Sequence, residues 1–139
     1  MFKKILVGVD PSVASKRATG VAIKLAKASK AKLVLAAVDF QQMDSLEGSL
    51  YWKIEKAIST ALASAQKSAK AAKVSSDAVI LEGVPADELL KLAKKQKADL
   101  IVVGNWDASG RSKAIARDSA GDVKRRLVDD AKCSVLIVR

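Results

Sequence analysis

The sequence predicts a doubly wound α/β fold, with five parallel strands and helices on both faces of the sheet, in one domain over residues 1–139. Short and nearly unbroken apolar runs recur, such as 4–10 (KILVGVD) and 100–104 (LIVVG). They lack the alternation of a strand with one wet face, so each is read as a strand covered on both sides. Between them lie longer alanine- and lysine-rich stretches with apolar residues at helical spacing. Strand and helix patterns alternate to the end without a shift in composition or an internal repeat, which argues one domain. At 139 residues and 50% hydrophobic content the chain is long enough to bury a full core.

The first strand, 4–10, ends at Asp10, and Pro11-Ser12 makes the turn that follows it. A helix over 14–30 then shows Ala18, Val21, Ala22 and Leu25 on its buried face. Residues 32–40 (KLVLAAVDF) form the second strand and close a βαβ unit with the right-handed crossover such units adopt. After a polar connection over 41–48, Tyr51, Ile54, Ile58, Leu62, Ala65, Ala69 and Ala72 mark one face of a long helix, 50–73. The third strand is 77–82, punctuated by Gly83-Val84-Pro85.

Pro85 suits a first helical turn, and Asp87 and Glu88 suit the positive end of the helix dipole. They open a helix to about Lys97 whose buried stripe is Ala86, Leu89, Leu90 and Ala93. The fourth strand is 100–104. Residues 105–118 show no apolar periodicity beyond Ala114-Ile115 and are read as loop. A last helix over 119–130 packs through Val123 and Leu127, and the fifth strand begins at Ser134 and reaches Arg139. The expected strand order is 3-2-1-4-5, with the first and fourth strands side by side.

Several function classes are excluded. One cysteine cannot form an internal disulfide, and the absence of histidine removes the usual general base and the commonest metal ligand. No Ser-His-Asp or Cys-His nucleophile can be assembled, and a zinc site would have only Cys133 and carboxylates. The apolar runs are too short to cross a bilayer, and Met1-Phe2-Lys3-Lys4 leads into a strand instead of a cleavable signal. The expected location is therefore the cytoplasm, with no membrane partner. A net charge of +10 attracts polyanions. The lysines are nevertheless spread over several helical segments like solvated faces, and 4% aromatic content offers little platform for stacking bases. Nucleic acid thus ranks last among the expected partners.

In an open parallel sheet the ligand crevice lies beyond the carboxyl ends of strands at the switch point, where neighbouring connections leave to opposite faces. Here those ends carry Asp10 and Gly104, and the start of the final helix, near Gly121, comes close. Two standard phosphate motifs do not occur. Gly104-x5-Gly110-Arg111-Ser112 has neither the spacing nor the lysine of a P-loop, and no G-x-G-x-x-G is present.

Three segments, KILVGVDPS, EGVPADELLKLAKKQKADLIVVGN and GDVKRRLVDDAKCSVLIVR, resemble the universal stress protein family, and together they span nearly the whole chain. The resemblance implies a Rossmann-like fold of the adenine-nucleotide α-hydrolase type and regulatory binding of ATP or AMP, with magnesium accompanying the nucleotide. The family signature is Gly-x2-Gly-x9-Gly-Ser/Thr from the end of the fourth strand, where glycine lets backbone N–H groups approach phosphate at a helix amino end. Gly104 matches its first glycine and Gly121 its third. Asp107 stands at the second glycine position, the nearest glycine is Gly110, and Asp122 replaces the Ser or Thr.

By resemblance, Asp10 would face the ribose and phosphates or a bound cation, and the backbone around Val38 the adenine edge. Gly104, Gly110, Arg111, Gly121 and Asp122 would surround the phosphates. Arg111, Lys113 and Arg117 supply positive charge, whereas Asp107, Asp118 and Asp122 could reach magnesium. Asp10 has an alternative reading as a turn or cap residue.

No general base other than a carboxylate is present, so at most weak ATP hydrolysis is expected. The altered loop also admits a second function, a nucleotide-independent module that binds protein partners through the loop and Trp106. Cys133 is read as a small packing residue. If the last strand, Ser134 to Arg139, is a sheet edge, it invites pairing with a second copy, and the family resemblance implies the same homodimer.

Overall fold

The computed structural model describes residues 1–39, 48–105 and 123–139. Along the chain run β1 (Lys4–Val9), α1 (Val13–Ser29), β2 (Lys32–Asp39), α2 (Gly48–Ala71), β3 (Ser76–Glu82), α3 (Pro85–Gln96), β4 (Leu100–Gly104), α4 (Val123–Asp130) and β5 (Ser134–Val138). All neighbouring strands are parallel and their order is β3-β2-β1-β4-β5, as expected.

Alternation along the central strands divides the interior into two cores. Ile5, Val7, Leu33, Leu35, Leu100 and Val102 face α1 and α2. Leu6, Val34, Ala36, Ile101 and Val103 face α3 and α4 with Leu89, Leu92 and Leu127. β1 and β2 are therefore buried on both sides, which is why their sequences read as continuous apolar runs. The first two crossover helices lie on one face and the last two on the other, so the winding reverses between β1 and β4.

Two helices bury faces slightly different from those expected. α1 buries Ser15, Ala18, Thr19, Ala22, Ile23 and Ala26, while Val21 and Leu25 are only half-buried. The buried set is mostly small, so the helix axis comes close to the sheet and the larger residues fall on its flanks. In α3 the buried leucines are Leu89 and Leu92, and Leu90 is half-buried at the margin of the same core. α2 follows its expected stripe, with Ile58, Leu62, Ala65 and Ala69 buried.

Capping accounts for where the helices begin. Ser12 caps α1, its Oγ accepting from the Ser15 amide at 3.0 Å, and Pro85 opens α3 with Asp87 and Glu88 in its first turn. Gly83 has a φ of +136°, and an added Cβ would lie 3.0 Å from Glu88 Oε1. That turn requires glycine. The ends of three helices are less usual. Lys30, Lys73 and Lys97, which follow α1, α2 and α3, all adopt the left-handed conformation that favours glycine, with φ of 57°, 59° and 56°.

Candidate functional site

At the carboxyl end of the sheet β1 turns away toward α1 while β4 leaves in the other direction, and a crevice opens between them. Its floor is Gly8, Ala36, Val38 and Val103, and Asp10 and Gly104 stand at its rim. Pro85 and Leu89 of α3 form one wall, and Val123 and Lys124 begin α4 at the other. Three of the site residues expected from sequence, Asp10, Val38 and Gly104, are thus brought together from three strands. Gly110, Arg111, Gly121 and Asp122, with Trp106 and Asp107, lie outside the described residues.

Asp10 builds the turn that leads into α1. Its Oδ1 accepts from the Ser12 amide at 2.7 Å, and its own amide donates to Ser15 Oγ at 2.9 Å. Ser15 Oγ also donates toward the Gly8 carbonyl at 3.5 Å, so the end of β1 and the start of α1 are tied together. This is the turn role read from sequence. A carboxylate has two oxygens, so the role is compatible with ligand contact through the other.

Val38, 8% exposed, is an apolar floor residue.

Gly104 is explained by packing. A Cβ there would lie 2.5 Å from the Ala14 carbonyl carbon and 2.7 Å from both Ala14 O and Ser15 N. The first turn of α1 therefore crosses β4 so closely that no side chain fits, independently of any phosphate. Gly8 is close-packed but less strictly so on the other face, where a Cβ would meet the side-chain atoms Val103 Cγ1 at 3.0 Å and Leu89 Cδ1 at 3.3 Å.

Two residues at the crevice escaped the sequence reading. Lys124 Nζ donates to Asn105 Oδ1, joining the start of α4 to the residue after β4. The Asn105 amide donates to the Val138 carbonyl, which carries the connection on to β5. Lys124 thus places an ammonium group at the mouth of the crevice. Its position three residues after Gly121 was the available signal. Behind it, Arg126 pairs with Asp87 and lies 3.9 Å from Asp130, clasping α4 to α3.

Among the described residues there is no group of three or more His, Cys, Asp or Glu side chains that could hold a metal ion. Asp10 alone is a single ligand. Cys133 is half-buried against the α3 and α4 core, and burial pushes its thiol above the ordinary range, which lowers its thiolate fraction. That agrees with a packing role. Among the described residues no helix is long and apolar enough to cross a membrane.

Fold and crevice together define an open α/β protein with a ligand cleft at its switch point. The family model for the universal stress proteins matches residues 1–139. A universal stress protein of Thermus aquaticus is 33% identical over 144 residues that cover 100% of both chains. One from Methanocaldococcus jannaschii is 32% identical over 145 residues, covering 100% of this chain and 83% of its own. Among solved structures, a universal stress protein in complex with cAMP is 33% identical with a TM-score of 0.73, covering 99% of this chain and 97% of that one. The chain belongs to the universal stress protein family.

Proposed function

We propose that this protein binds an adenine nucleotide in the crevice between β1 and β4 and acts in the cytoplasm as a regulatory stress-response protein. The observation that carries the reading is the arrangement at that crevice: an apolar floor of Ala36 and Val38 between the Asp10 carboxylate and the Lys124 ammonium. A planar base suits the floor, ribose hydroxyls suit the carboxylate as donors, and phosphate suits the ammonium. The relative that is 33% identical and was solved with cAMP supports the same class of ligand. ATP and AMP are the candidates the signature suggests, and magnesium would arrive on the phosphates, since Asp10 offers only one carboxylate. Gly110, Arg111, Gly121 and Asp122 would complete the phosphate end.

Calorimetric titration with cAMP, AMP and ATP, the last with and without magnesium, tests this. Saturable heat is expected with at least one nucleotide, and Lys124→Glu should weaken binding about tenfold or more, with only a small fall in melting temperature from the lost bond to Asn105. No heat at millimolar nucleotide would overturn the reading. A specific observation favours one alternative: Asp107 and Asp122 place carboxylates where the signature has glycine and a hydroxyl, which repels phosphate. In that case the same fold acts as a nucleotide-independent protein-binding module, and the titration stays flat.

We further propose a homodimer through β5. This strand is one edge of the sheet, and Val135, Leu136, Ile137 and Val138 remain only half-buried in one chain. Sedimentation at micromolar concentration should give twice the chain mass of 14.7 kDa.

A further inference from the structure

The lysines that are scattered along the sequence are gathered at one end of the molecule. In a parallel sheet every strand begins at the same end, and every crossover helix returns the chain to it. Lys3, Lys30, Lys73, Lys97 and Lys132 lie one to three residues before β1, β2, β3, β4 and β5, and all five are exposed. The register aligns them. Ser76, Leu33, Ile5, Leu100 and Ser134 are partners on one level across the sheet. Each of the five lysines lies two or three residues ahead of its strand's member of that level.

In spatial order the row is Lys73, Lys30, Lys3, Lys97 and Lys132. Four strand spacings make it about 19 Å long.

None of these five side chains forms an ion pair among the described residues. The carboxylates at this end are engaged elsewhere. Asp99 accepts from the Lys3 and Lys4 amides at 2.8 and 3.2 Å, Asp77 pairs with Lys32 at 2.8 Å, and Asp130 lies 3.9 Å from Arg126. Asp129 is the remaining exposed acid of α4.

A second observation concerns the backbone. Lys30, Lys73 and Lys97 hold left-handed positions where glycine costs least, so a cation stands at each of three helix ends on a residue with backbone strain. A helix dipole favours a cation in the last turn but does not require one at the left-handed residue itself.

We infer that this row of lysines is a docking surface for the phosphate backbone of double-stranded nucleic acid, read without sequence preference. One strand of a duplex carries a phosphate about every 3.4 Å of axis and winds out of reach within about half a turn, so a row of this length faces about two or three phosphates of each strand across a groove. Phe2, the aromatic residue beside Lys3, is half-buried and packed against the core, so the backbone is the feature recognised.

The left-handed lysines also supply a safe test. Lys30→Gly, Lys73→Gly and Lys97→Gly together remove three charges while relieving backbone strain. A control variant with Lys24, Lys53 and Lys67 changed to Gln loses the same charge from other parts of α1 and α2. Binding to a fluorescent 20-base-pair DNA duplex is followed by anisotropy from about 50 to 200 mM salt. The triple glycine variant should bind about tenfold more weakly or worse, with its salt slope reduced by about 2.7, close to 0.9 for each lost contact. The control should keep the slope of the parent protein. Equal losses in the two variants, no binding by the parent at low salt, or parental binding to phosphatidylserine vesicles in place of duplex would each overturn the assignment.

Discussion

Asp99 and Asp10 stand at opposite ends of the same sheet and do different work. At the amino end Asp99 accepts from two backbone amides of another strand, Lys3 and Lys4, and so bolts β4 to the start of β1. At the carboxyl end Asp10 binds the amide of Ser12, two residues on, and shapes a local turn. The first contact joins residues far apart in sequence, whereas the second is made within one loop. The amino end is thereby tied across strands by a side chain, while at the carboxyl end the cross-strand bonds, from the Gly83 amide to the Asp39 carbonyl and from the Asn105 amide to the Val138 carbonyl, are made by backbone and the Asp10 side chain serves a turn. A parallel sheet permits this division because all its strands begin at one end and deliver their loops at the other.

The sharpest way to break this contrast is at Gly104, where the two functions of the carboxyl end meet. Gly104→Val would drive a side chain into the Ala14 and Ser15 backbone, with a destabilisation of about 3 kcal/mol or more expected in urea unfolding. If the variant were as stable as the parent yet bound nucleotide poorly, the glycine would belong to ligand binding and not to packing. Next in size, Asp99→Ala should cost about 2 kcal/mol, because two amides lose a charged acceptor. Asp10→Ala should cost about 1 kcal/mol, since only one such bond is lost. A reversed ranking of these two aspartates in denaturant midpoints would dissolve the distinction between the ends.

Smallest and opposite in sign, Lys97→Gly should stabilise by about 1 kcal/mol, as the left-handed residue after α3 loses its Cβ strain. An unchanged melting temperature would mean that this helix end carries no strain.

How far the sequence reaches varies from residue to residue. Pro85, Asp87 and Glu88 announce the start of α3 because helix initiation is local chemistry. The ends of α1 and α3 fall within one residue of Lys30 and Lys97, where the sequence places them, although lysine stands where glycine is the usual signal. Asp10 and Gly104 were legible as companions through the switch-point rule and Val38 through the family resemblance, and the structure brings all three to one crevice. Lys124 and Asn105 were not, because their bond depends on where α4 comes to rest against the end of β4. The burial of Ile23 and Leu92 in place of Val21 and Leu90 shows the same limit. Periodicity places a stripe to within one side of a helix, and the neighbouring surface selects the residues that fill it.

By itself the sequence determined the alternation of strands and helices, the covering of the sheet on both faces and the family, since continuous apolar runs and capping residues act over a few positions. Only the tertiary structure decided why position 104 must be glycine, which lysine guards the crevice and that five separate lysines form one row. Each of those facts depends on distances between elements far apart in the chain, and such distances exist only once the strands have paired in the order β3-β2-β1-β4-β5.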